Sequence, residues 1–442
     1  MGSQLTPHVA VIGGGCAGLA TAVRLTQAGI RTSLFDSSHQ LGGRARGIDW
    51  QGLTLDNGQH ILLGAYSQTL RFLQTCGVDI DTGLLRLPLK LEIPGKFSLE
   101  SQAALPAPLH ILVGLLQAQG LSLRERLAAV RFMAGLRLKR FRLAKDVPLQ
   151  QLLASQPPRL TAMLWEPLCL AALNTPIATA SAQTFLNVLR DSFAHKKSDS
   201  DLLLPRADLS ALLAEPAATF IEAHGGRVSL NTPIESLHTL EHGVRLKLKD
   251  AMQDFSHVVI ATSPFRVAAL LPSLQSMEDV VASCQSLQYQ PIYTVYLQYT
   301  HDTVLPQAMH GLAGQLGQWV FDRGQLYGQP GLLAIVISAE GKHQALTQSD
   351  LAIKIHQELR AVFPALLKIA PLWHKVVAEK RATFACTAGL DRPGQTTPHP
   401  RIQLAGDYVG TGSPLLDYSA TIEGAVRSGF QAAENIIKSH QV

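Results

Sequence analysis

Charge is sparse in this chain: of 442 residues, 16% are charged. The formal net charge of +5 does not argue for nucleic acid, and no nucleic-acid module is recognisable, but it is compatible with an anionic membrane surface. Cysteine is scarce as well. Cys16, Cys76, Cys169, Cys284 and Cys386 are odd in number and lack metal-ligand spacing. That argues against a disulfide framework and a bound metal, and fits a reducing cytoplasm. No basic segment precedes an apolar run near Met1, so no signal peptide is expected. A uniform membrane-length apolar run is also missing. A long stretch without a formal charge, 103–123, is broken by Pro106, Pro108, His110, Gln117 and Gln119. It reads as a core helix, or as one facing a lipid-like ligand. What remains is a leucine- and alanine-rich chain, long enough for roughly two or three domains.

The segment from His8 to Arg46 organises the rest. His8–Ile12 is short, apolar and β-branched, as a buried parallel strand is. Gly13, Gly15 and Gly18 follow at GxGxxG spacing, then a helical pattern over 19–28 with Gly29 placed to cap it. A second strand, 32–35, ends in Asp36. Gly13 permits a tight turn, Gly15 admits a pyrophosphate and Gly18 lets helix and strand pack closely. The helix start offers free N–H groups to that pyrophosphate. Asp36 can accept hydrogen bonds from an adenosine ribose, and its charge repels a 2′-phosphate, which disfavours NADP here.

A second glycine turn, Gly42-Gly43-Arg44, lies just beyond, with Arg46 two residues further on. Near the other end, a short strand at 402–404 meets Ala405-Gly406-Asp407, and a helix starts near Thr421. This set of motifs resembles the amine oxidase and phytoene desaturase superfamily of FAD enzymes, and the likeness spans nearly the whole chain. It implies an α/β fold: a Rossmann-like FAD-binding domain of the amine oxidase/glutathione reductase type, with an inserted α+β substrate domain. The FAD domain is expected from residues 1–85, 205–285 and 385–442. The substrate domain is expected from 86–204 and 286–384, with a helical part able to touch a membrane.

The same resemblance implies where FAD is held. The first motif supplies Gly13, Gly15, Cys16, Ala17, Gly18, Asp36 and Ser37. The second turn adds Gly42, Gly43 and Arg44 against the phosphates. Asn57, Gly58 and Gln59 pass near the flavin ring. Val228 packs near the adenine, and Thr262 lies close to the same nucleotide. Gly406 and Asp407 meet the pyrophosphate or ribityl chain, while Thr421, Ile422 and Ala425 bring a helix start to the flavin pyrimidine edge. A helix dipole there steadies the negative charge of the reduced ring. Ala420, Gly424 and Ser428 form a small-residue stripe that lets backbone approach.

Within the superfamily, residues 42–66 and 405–429 resemble the hydroxysqualene dehydroxylase branch. That implies removal of a hydroxyl from a hydrophobic C30 isoprenoid to give squalene, upstream of hopanoids. Carotenoid desaturation and amine oxidation stay open as alternatives, with a non-redox isoprenoid-binding protein as a third. His60 is the first candidate acid for the leaving hydroxyl, ahead of Tyr408, Asp417 and Tyr418; it can equally be a histidine satisfied by backbone bonds beside the cofactor. With one dinucleotide fingerprint visible, electrons must come from an outside donor, NADPH directly or through a reductase.

Between the motifs, 124–145 reads as a basic amphipathic helix, able to be an ordinary solvated helix or to touch a membrane peripherally. Location is expected in the cytoplasm, with such contact on the inner face of the cytoplasmic membrane. Helices follow over 149–200, then a helix at 209–223 and strands at 235–238, 244–248 and 255–260. Further strands are expected at 292–299, 319–322, 332–338 and 373–377, with a helix over 349–362.

Overall fold

A computed structural model describes residues 7–271, 274 and 276–441. Residues 1–6, and with them the start of the segment read for a signal peptide, lie outside the described residues.

One five-stranded sheet holds the nucleotide motif. Its strands run 227–229, 31–35, 8–12, 257–260 and 402–404 across the sheet, and every pairing is parallel. Three distant stretches of chain therefore build one layer. The central strand, His8–Ile12, is almost wholly buried, which is why its run has no polar alternation. Helix Cys16–Gln27 leaves it through Gly13, whose φ of +108° only glycine adopts readily. That helix packs on the long helix Ile422–Gln441. Contact is close enough that a Cβ on Gly429 would sit 2.2 Å from the carbonyl oxygen of Ala17.

A second five-stranded sheet is antiparallel, ordered 309–311, 319–322, 332–338, 289–298 and 373–384. Side chains alternate between its faces. Val295, Leu297, Val320, Leu333, Ile335 and Ile337 meet Leu351, Ile355 and Leu359 of helix Gln348–Val362. Ile292, Trp319, Phe321 and Val336 point the other way, into the interior between the sheets.

Several expectations shift. The strand predicted over 255–260 is two strands in two sheets: Met252–Phe255 is antiparallel and His257–Ile260 joins the parallel sheet. The strand predicted at 373–377 extends to Phe384, because one of its edges pairs with Tyr289–Gln298 along its whole length. The basic helix stops at Leu138, since Arg140 and Phe141 take positive φ. The uncharged stretch contains the nine-residue helix Leu109–Gln117, with His110 buried. No helix among the described residues is long and apolar enough to cross a membrane.

Candidate active site

The two sheets enclose a cavity of about 690 Å³. Its polar end is the glycine turn. A Cβ on Gly18 would lie 1.8 Å from the oxygen of Gly13, so this position closes the helix–strand contact. A Cβ on Gly15 would meet nothing within 4 Å, and the residue opens onto the cavity. Gly15 is also the N-cap of helix Cys16–Gln27, with no side chain capping it. The first N–H groups of that helix are thus left for an anion. The second turn closes on the first: Gly42 N–H donates to Gly14 O at 2.8 Å, and a Cβ on Gly43 would lie 3.3 Å from the Gly15 Cα.

Asp36 lines the cavity, its carboxylate held by the N–H groups of Gly14 (2.6 Å) and Ser38 (2.7 Å). Asp407 lies on the same cavity, paired with Arg44 at 2.7 Å. The two acids at opposite ends of the chain thus serve one site. Ser37, Cys16, Ala17, Gly406, Thr421, Ile422, Ala425, Thr262 and the Asn57–Gln59 segment also line it. Burial pushes the Cys16 thiol up to about 11, so it is an inert packing group. Among the described residues no group of His, Cys, Asp and Glu is placed to hold a metal ion.

Some expected contacts lie elsewhere. Val228 is absent from the lining, because its strand is at the edge of the parallel sheet, paired with Leu34 and packed into the core beneath. Thr232 to Glu235, just after it, reach the cavity instead. Gly18 contacts the turn rather than the cavity. Of the small-residue stripe, Ala420 lines the cavity but precedes the helix, and Ser428 turns its hydroxyl to the N–H of Gly406 at 3.1 Å. Glu423 points away, holding Thr69 at 2.8 Å and Arg427 at 2.6 Å.

Two of the four acid candidates are spent outside the cavity. Tyr418 donates its hydroxyl to Asp191 at 2.7 Å, and Asp417 accepts from Thr411 at 2.8 Å. His60 does line the cavity. Its Nδ1 lies 2.6 Å from the carbonyl oxygen of Gly58, so Nδ1 carries the proton. Burial holds its pKa below the usual histidine range. The neutral ring then has an unprotonated Nε2: an acceptor, which changes the acid role expected of it. Tyr408 is the converse. The residue lines the cavity, its hydroxyl is buried with no hydrogen-bond partner among the described residues, and burial raises its pKa far enough to keep the proton.

The segment carrying His60 is pinned from below. Asp56, just before it, is buried and accepts from Arg323 at 2.9 Å and from the N–H of Leu209 at 3.0 Å. Arg323 also reaches Gln59 at 3.2 Å and stacks 3.7 Å from the Tyr327 ring centre. Gln59 spends its own N–H on the Tyr327 hydroxyl, so its side chain is structural.

The apolar end was missed residue by residue. Leu170 to Leu173 come from the helix Glu166–Leu173, Phe265 and Leu270 from the helix after Thr262, and Ile292, Trp319, Phe321 and Val336 from the antiparallel sheet. Their only signal was an apolar run, as over 319–321, and an apolar run does not say which face meets a ligand.

The unshielded helix start, the open Gly15 and the acid after the second strand fit a dinucleotide carrying a pyrophosphate and an unmodified ribose. The chain belongs to the family of flavin-containing amine oxidoreductases, whose model matches residues 16–437. It is an FAD-dependent oxidoreductase. Within that class it is similar to the hydroxysqualene dehydroxylase of Rhodopseudomonas palustris, 30% identical over 98% of this chain and 99% of that one. It is also similar to the tomato (Solanum lycopersicum) zeta-carotene desaturase, 24% identical over 97% of this chain and 80% of that one. Cyclohexylamine oxidase from Brevibacterium oxydans has the same fold, with a TM-score of 0.73 at 15% identity, covering 99% of this chain and 100% of that one.

Proposed function

We propose that this protein reductively removes the hydroxyl of hydroxysqualene to give squalene. The observation that carries the reading is the cavity itself: a polar dinucleotide cradle runs without a break into a wall of Leu170, Ile292, Trp319, Phe321 and Val336. End-to-end likeness to a hydroxysqualene dehydroxylase supports the choice of substrate. When bound and reduced, FAD supplies a hydride.

In the proposed reaction the C–O bond breaks, the oxygen leaves as water after taking one proton, and a C–H bond forms. The two electrons come from an outside donor of the NADPH or reductase class. In this reading Tyr408, the acid candidate that keeps its proton, donates a hydrogen bond to the departing oxygen. His60, with Nε2 free to accept, orients the substrate hydroxyl through its hydrogen. The apolar wall keeps out water that would trap the carbocation. A well-placed acid contributes on the order of 10²–10⁴-fold. Loss from Tyr408→Phe is therefore expected to be about 100-fold in kcat, with flavin absorption unchanged.

Anaerobic incubation of the FAD-loaded protein with dithionite and hydroxysqualene tests this directly. Squalene in the extract supports the reading. No squalene, together with desaturation of a carotene by the oxidised protein, would transfer the assignment to the second reading, which the zeta-carotene desaturase likeness favours. His60→Ala with near-normal turnover removes His60 from the mechanism.

A further inference from the structure

The charge of this molecule is unevenly placed. Residues 109–145 hold eight basic side chains and one acidic one, seven net positive charges against five for the whole chain, so the remainder is acidic by two. Arg124, Arg131, Arg137, Lys139, Arg142 and Lys145 are all exposed. Among the described residues none of these six forms an ion pair within the chain.

Large apolar side chains are exposed in the same place. On helix Leu123–Leu138, Leu123 is 67% exposed, Leu127 44% and Leu138 86%. Ala134 is exposed between them. At 100° per residue these four fall within an arc of about 60°. Ala129, Met133 and Leu136, on the opposite side, are the buried face. Arg131 falls on one flank of the leucine arc and Arg137 on the other. The neighbouring helix Leu109–Gln117 adds Leu109 (48%) and Leu116 (38%), seven residues apart and so on one side. A solvated helix has no reason to present leucines on the side away from its core.

We propose that this helical pair docks on an anionic lipid bilayer, its leucines entering the acyl boundary and its flanking arginines and lysines meeting lipid phosphates. Charge complementarity selects that occupant: a second copy of the chain would bring seven like charges against seven, and a neutral apolar partner would leave the cations unmatched. The surface also connects with the cavity. Phe132 of this helix packs 5.3 Å from Trp165, and the helix that follows Trp165 carries Leu170 to Leu173 into the cavity wall. The docking itself does not depend on which reaction the cavity performs.

Co-sedimentation of the FAD-loaded protein with vesicles tests it. Binding is expected to vesicles containing phosphatidylglycerol, to weaken as salt screens the charges, and to be at least tenfold weaker on pure phosphatidylcholine. Removing three cations together (Arg131→Gln, Lys139→Gln, Arg142→Gln) should lower partitioning by on the order of 100-fold. Leu123→Ser, Leu127→Ser and Leu138→Ser together should abolish it. All of these sites are exposed, so flavin absorption and thermal midpoint serve as controls for folding. Equal binding to neutral vesicles, or unaltered binding by either triple variant, overturns the proposal. So does a wild-type dimer that the leucine variant converts to monomer without any vesicle binding.

Discussion

The cradle and the wall of the cavity are made in different ways. The cradle is mostly backbone: the first glycine turn, a bare helix start and the Asp36 carboxylate lie within 30 residues of His8, and the second glycine turn and Asp407 complete it. The wall is side chain, gathered from residues as far apart as Leu170, Phe265, Ile292 and Val336. Backbone geometry tolerates almost no substitution, whereas an apolar surface tolerates many of similar volume. A common cofactor and varied substrates are the natural outcome of one cavity built in these two ways.

Breaking the cradle should have the largest effect. Gly18→Val places carbon where the Gly13 carbonyl already is, and the expected product is no folded, flavin-bearing protein, read from the visible spectrum after purification. Next is the joint between the regions. Arg323→Met leaves Asp56 buried without its partner, which should cost roughly 3–5 kcal/mol in denaturant unfolding.

A third test acts on the cradle sheet alone. His257 is buried beside Val9, near His440, Arg401 and His399, and burial above all lowers its pKa to about 4. The unfolded chain protonates this ring from pH 6.5 downward while the folded one resists, so stability is lost as pH falls from 6.5 towards 4. About 3 kcal/mol is at stake, and His257→Gln should flatten that part of the pH–stability profile. The smallest effect sharpens the contrast: Ile292→Thr should raise KM about fivefold at constant flavin content, because it alters one apolar contact in the wall and nothing in the cradle.

Legibility followed the same division. Gly13, Gly15, Gly18 and Asp36 could be read from the sequence because each meets a steric or charge demand set by its immediate neighbours, and the strand–turn–helix around them stands as expected. The strands at 319–322 and 332–338 were also readable, from their apolar runs. Which of their faces would meet a ligand depended on helix Gln348–Val362 covering the other, a tertiary choice that no local pattern encodes. Val228 lies outside the cavity lining for a related reason: its strand sits at a sheet edge, and the chain turns into the cavity only at Thr232. The role expected of His60 changed on one hydrogen bond, to a carbonyl two residues away.

The parallel sheet has a temporal consequence. Its central strand at 8–12 leaves the ribosome some 250 residues before its neighbour at 257–260, and the strand at 402–404 comes later still. Contacts so distant along the chain close slowly. The nascent polypeptide must hold apolar strand edges unpaired, a period of aggregation risk that shielding by a chaperone would shorten. Asp407 arrives with the last of these strands, so the cavity has both of its acids only after that strand is made, and a ligand bound there adds stability only from that point.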